Sequence, residues 1–142
     1  MKIATIIARV LLGLMFLVFG LNFFFNFLPM PPPPEVETPA TQFGAALYGS
    51  GYMHAVKVFE ILGGIALLSG FFVPLGLVFL GPIIVNIAFF HIFLDKSGFE
   101  MTFAIVALEL FLLYAYRTSF APLFQAKPPS DPQAASKPTP AA

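Results

Sequence analysis

The chain contains no cysteine, which excludes disulfide staples, thiol redox chemistry and thiolate metal sites. Charge is nearly as scarce: only 10% of the 142 residues are Asp, Glu, Lys or Arg, against about 25% in ordinary soluble domains. Seven basic and seven acidic residues cancel, and no basic run appears, so the electrostatic footprint of a nucleic-acid binder is missing. Neither a Gly-rich phosphate loop nor a haem-type histidine pattern is present, so no recognisable device holds a nucleotide or carries electrons. No metal site and no internal repeat are expected. In place of all this the chain is 58% hydrophobic, with 19 Phe and a mean hydropathy of +0.89. One domain of this size has too little interior to hide that much apolar surface from water.

The apolar residues gather into four segments, about residues 3–28, 53–73, 75–94 and 101–117. Each approaches the roughly 20 residues that cross a bilayer, the fourth being the shortest. They are apolar nearly all round rather than on one face, which favours membrane spans over soluble amphipathic helices. The first starts Met1-Lys2, but its apolar run is too long for a signal peptide, Arg9 interrupts it, and no small-residue cleavage site precedes "PMPPPPE". The expected fold is all-α: a four-transmembrane-helix bundle over 1–121 and a disordered Pro/Ala-rich tail over 122–142.

Basic residues orient the bundle. Lys2, Arg9, Arg117, Lys127 and Lys137 fall on the side of the termini, and only Lys57 and Lys96 on the other, so both termini are expected in the cytoplasm of a bacterial inner membrane. Tyr48 and Tyr52 before the second span, and Tyr114 and Tyr116 at the end of the fourth, suit the two interfaces. Between the second and third spans lies only "FVPLG", so Pro74 and Gly76 are expected to make a tight hairpin. The longer outer connection has a stiff proline run, and Thr38-Pro39 then reads as the start of a short outer-surface helix ending near Tyr48.

Polar side chains inside such spans are costly and usually face the bundle or a watery cavity. By a rise of 1.5 Å per residue, Glu60, Asn86 and Glu109 lie about 12 Å below the outer end of their spans, Asn22 about 9 Å, Lys57 about 7 Å and His91 about 5 Å. A polar pocket in the outer half, built from Asn22, Lys57, Glu60, Asn86, His91 and Glu109, is therefore expected. His54, Lys57, Glu60 and Gly64 recur at spacings of 3, 3 and 4 and share a face, while Thr102, Glu109 and Tyr116 form a seven-residue stripe. At 100° per residue Asn86 and His91 are about 140° apart, so only one of them points at the bundle axis. Set against this, Lys57 with Glu60 reads as a local ion pair, the asparagines as interhelical hydrogen-bond glue, and Arg9 as a side chain reaching for the interface. Gly13, Gly20, Gly63, Gly64 and Gly70 read as close-packing positions.

"ARVLLGLMFLVFGLN" in the first span, "KVFEILGGIALLSG" in the second with Pro74 after it, and "IIVNIAFFHIFLD" in the third resemble the DoxX-like family of small bacterial four-span membrane proteins, over about residues 5–117. The resemblance implies a four-helix membrane bundle with cytoplasmic termini. Relatives include a subunit of a thiosulfate:quinone oxidoreductase and a membrane partner in oxidative-stress defence, but no motif carries a catalytic residue over to this chain. Three functions follow: an accessory or quinone-interacting subunit of a membrane redox system, a small proton-coupled transporter, or an assembly protein with no chemistry of its own. The first is preferred, since four short spans show neither the repeats nor the broken helices of transporters. The expected partners are the lipid bilayer and a redox protein or quinone; a homo-oligomer is compatible, nucleic acid is not.

Overall fold

The computed structural model describes residues 1–127 and Ser130, and among these there is no strand. The first apolar run folds as α1, Lys2–Phe25. It stops short of the expected end because Asn26 takes a left-handed conformation, φ 49°, and the Asn22 side chain turns back to accept the Leu28 N–H at 2.7 Å. A short polar residue tolerates that conformation and supplies the hydrogen bond that an open helix end lacks.

Helix α2, Pro39–Gly49, begins where Thr38-Pro39 predicts. Thr41 N–H donates to Thr38 Oγ1 at 3.2 Å and Thr38 N–H to Thr41 Oγ1 at 2.8 Å, a reciprocal cap with Thr in the place Glu or Gln usually holds. The helix leans on the bundle through aromatic contacts, Phe43 against Phe90 and Tyr48 against Phe23, whose ring centroids are 6.0 and 5.7 Å apart.

Two long helices follow, α3, Tyr52–Ser69, and α4, Val73–Phe89. The turn between them is Gly70-Phe71-Phe72 rather than the expected Pro74 and Gly76. Gly70 and Phe72 have φ of 77° and 56°. Pro74 sits in the first turn of α4, where its missing N–H goes unnoticed. Gly76 is a packing residue: a Cβ there would lie 2.9 Å from Ala66 Cβ and 3.1 Å from the Gly63 carbonyl oxygen. Beyond Phe89 the chain widens into one π turn, Phe90–Leu94. It crosses the Asp95–Gly98 loop and descends as α5, Phe99–Ala115. A short α6, Arg117–Phe120, and a 3-10 turn, Ala121–Phe124, follow, so the first residues of the expected tail are ordered and the rest lies mostly outside the described residues.

Three of these helices are long and apolar enough to cross a membrane alone, α1, α3 and α4 with its π turn. Helix α5, at 17 residues, is about 26 Å long, close to the hydrocarbon thickness of about 30 Å. Its continuation bends by 76° after Ala115, so the two pieces make one broken span at most. The four pack in a ring, α1 beside α3 and α5, and α4 beside α3 and α5, leaving α3 and α5 opposed across the diagonal. The end carrying the N-terminus of α1 and the C-terminus of α5 is termed the terminal end, and the opposite one the distal end.

Helix α3 is wedged between its neighbours by two adjacent glycines. A Cβ on Gly64 would lie 2.9 Å from both the Gly13 carbonyl oxygen and the Leu17 nitrogen of α1, and a Cβ on Gly63 would lie 2.6 Å from Leu80 of α4. Gly13 returns the contact, with Leu67 Cβ at 2.9 Å, and Gly20 meets Ile61 at 2.8 Å. Without a hydrophobic drive between helices in lipid, backbone approach of this kind carries the association. Leu12, Leu67, Leu77, Leu80 and Leu112 fill the fully buried centre, while residues such as Ile7, Val58, Leu62, Val78 and Leu110 face outward.

Gly64→Ala drives a methyl group into backbone and is expected to destabilise the bundle by about 1–3 kcal/mol. Gly44→Ala on α2, where a Cβ meets nothing within 4 Å, is expected to be neutral or slightly stabilising. Thermal unfolding in detergent, followed by circular dichroism, checks both; equal effects of the two would contradict this packing.

Candidate functional site

Of the buried polar groups, Asn22, Glu60 and Thr102 lie toward the distal end, and Glu109 lies deeper, beside Gly81 of α4 and three residues from Leu112. Glu60 stands three and four residues before the glycine pair, so the wedging of α3 turns its carboxylate between α1 and α4. Lys57, one turn nearer the distal end, meets it with Nζ at 2.8 Å from Oε2 and 3.1 Å from Oε1. Glu60 is 4% exposed and Lys57 half-buried. An ammonium has three N–H donors, and two point at Glu60, so one remains for another acceptor.

The pair lines a half-open cavity of about 320 Å³. Met15, Phe16 and Phe19 of α1 form one wall, Ile87 and His91 another, and Gly98, Met101, Thr102 and Ile105 the third. The π turn carries His91 to this place and the following loop holds it there. Its Nδ1 lies 3.1 Å from the Asp95 carbonyl oxygen. A carbonyl only accepts, so Nδ1 carries the hydrogen and the Nε2 of the neutral ring is left as an acceptor. Asp95 is fixed in turn by Ser97, whose backbone N–H and hydroxyl donate to its two carboxylate oxygens at 2.9 Å. These bonds hold the Asp95 carboxyl below its ordinary pKa, the backbone one foremost. Gly98, with φ 70°, lets the loop close over the imidazole. The Thr102 hydroxyl donates to the Gly98 carbonyl at 3.3 Å and keeps its lone pairs.

Lys57, Glu60 and His91 are thus brought together from α3 and the π turn, and the other three expected residues are not. Asn22 is occupied in closing α1. Asn86 is exposed and turns back on its own helix, its amide donating to the Pro82 carbonyl at 3.4 Å. Of the two residues set 140° apart by helix geometry, His91 therefore faces the cavity. Glu109 is buried below the cavity against α4, with Oε1 3.6 Å from where a Gly81 Cβ would stand. His54 packs on Phe23 and Phe24, away from the cavity. Thr102 joins the site unannounced except by its seven-residue spacing from Glu109. The apolar wall had no signal at all in a chain with 19 Phe. Among the described residues no group of three His, Asp or Glu is arranged to hold a metal ion.

A bundle of antiparallel apolar helices that shows leucine, isoleucine and valine outward and turns the charges midway along its spans, Lys57, Glu60 and Glu109, inward is a multi-pass membrane protein. Within that class, the family model described as DoxX matches residues 4–92, and the chain belongs to the DoxX family. The match runs from α1 into the π turn, so Lys57, Glu60 and His91 lie within it and Thr102 and Glu109 beyond it. No curated protein and no solved structure matches the chain.

Removing one partner of a buried ion pair strands the other, whereas removing both does not. Lys57→Met is expected to cost about 3 kcal/mol, and the double substitution Lys57→Met, Glu60→Met less than that single one. Chemical unfolding in mixed micelles measures the comparison; additive losses would mean that the pair is solvated rather than buried.

Proposed function

We propose that this protein is an accessory subunit of a membrane redox system and that its distal cavity receives a quinone-type headgroup. The observation that carries this reading is the pairing of one free Lys57 N–H and the acceptor His91 Nε2 across an apolar cavity of about 320 Å³. That volume is near the lower bound of small-molecule sites, about 300 Å³, and suits a ring with few polar atoms. A quinone carbonyl accepts from Lys57, and the hydroxyl of its reduced form donates to His91. Glu60 and His91 are the groups placed to exchange the accompanying protons. A chain with no cysteine and no haem-type histidine pattern leaves the electrons to a partner protein. Among the described residues, Lys2, Arg9, Arg117 and Lys127 stand toward the terminal end and only Lys57 and Lys96 toward the distal one, which supports cytoplasmic termini in a bacterial inner membrane and a cavity opening toward the outer face.

Ligand that binds only the folded state raises the unfolding midpoint. Menadione is expected to do so for the solubilised protein and 2-methylnaphthalene, which has the same ring system without carbonyls, is not. His91→Phe should weaken the affinity for menadiol, the reduced form whose hydroxyl donates to Nε2, by up to about tenfold, the worth of one hydrogen bond between neutral groups, and leave that for menadione nearly unchanged. Equal shifts with both compounds, or none with menadione, would reject the proposal.

A further inference from the structure

We propose that Glu109 is a proton-binding site inside the membrane: a carboxylic acid that holds an exchangeable proton in the bundle, whatever occupies the cavity above it. Glu109 and Glu60 are equally buried, each 4% exposed, yet they are treated oppositely. Both oxygens of Glu60 are met by the Lys57 ammonium, while neither oxygen of Glu109 has any hydrogen-bond partner. No countercharge stands within reach on the elements packed against it. Helix α4, whose Gly81 leaves room for the carboxyl, has no titratable side chain between Val73 and Phe89. Helix α1 offers only Lys2, which is exposed near the chain start, and Arg9, whose guanidinium lies against Gly70 at the end of α3. On α5 itself the other titratable groups are Glu100, exposed in the first turn, and Tyr114, exposed in the last.

A charged carboxylate without a partner is among the most expensive groups to keep at this depth. Binding a proton removes the charge with no rearrangement of the surrounding leucines. Such an acid is a store for one proton, and its position on the α5 stripe sets it one turn below Ile105 of the cavity wall and two turns below Thr102. Glu60 is the opposite case: both of its carboxylate oxygens accept from the Lys57 ammonium.

Dicyclohexylcarbodiimide distinguishes the two. A carboxylic acid adds across one C=N bond of the reagent, its oxygen bonding to the central carbon and its proton going to one nitrogen. The acyl group then moves to the other nitrogen, giving a stable N-acylurea with no leaving group and no change of oxidation state. The full chain in liposomes is treated with this apolar reagent or with a water-soluble carbodiimide, then digested for peptide mass spectrometry. The expected adduct is one reagent on Glu109 and none on Glu60, formed by the apolar reagent only, and lost in Glu109→Gln. Infrared spectra of the untreated wild type should contain a protonated-carboxyl band that shifts in heavy water. Because the wild-type label and band are sufficient, the test survives a misfolded variant. Labelling of Glu60 in preference to Glu109, protection of Glu109 by sodium or potassium, or absence of the protonated band would each overturn the proposal.

Discussion

The contact on which this architecture depends is the close approach at Gly63 and Gly64, Gly64 against the backbone of α1 and Gly63 against the Leu80 side chain of α4. One helix is held at glycine distance by two neighbours at once, α1 on one side and α4 on the other. In lipid, where apolar side chains gain nothing by leaving the solvent, such contacts carry the packing. They also fix the rotation of α3 about its axis. Glu60, one turn away, is then held in the interior, and Lys57, a further turn along, comes to it. Rotating α3 outward would separate the glycines from their partners and expose both charges to hydrocarbon.

Leucines fill the interior toward the terminal end, Asn22, Glu60 and Thr102 are buried in the distal part, and Glu109 stands at the edge of the leucines beside Gly81. Each charge is accommodated differently. Lys57 and Glu60 neutralise one another, His91 is tied to the backbone of a tightly bonded loop, and Glu109 stands alone. Arg9 lies half-buried at the C-terminus of α3, against Gly70, where the partial negative charge of the helix end favours a cation. The asparagines serve their own helices, Asn22 and Asn26 closing α1 and Asn86 bonding back toward Pro82.

Much of this was legible in the chain because composition and spacing are strong signals in a membrane protein. Apolar runs marked the spans, and the recurrence of Lys57, Glu60 and Gly64 marked the inward face of α3. Depth alone misled for Asn22, Asn86 and Glu109. It measures distance along a helix and not direction around it, and asparagine can satisfy itself on its own backbone without crossing to a neighbour. The hairpin was misplaced because Pro74 and Gly76 are turn-forming residues by habit, yet here one opens a helix and the other lets two helices touch. The π turn that brings His91 inward, and the bend after Ala115, have no marker in the local sequence. The apolar wall of the cavity is hidden for a different reason: its phenylalanine and methionines look like every other lipid-facing residue.

The proposed function requires that the cavity beside the Lys57–Glu60 pair hold a ligand, whereas a pair that only latches turns of α3 requires none. Native mass spectrometry on protein released gently from its own membrane, read beside its visible and ultraviolet spectrum, tests this most directly. The account predicts one amphipathic quinone-type molecule per chain, lost when Thr102→Phe fills the cavity while the helical content is unchanged. A chain or homo-oligomer of bare polypeptide mass, with no such absorbance before or after the substitution, would contradict it.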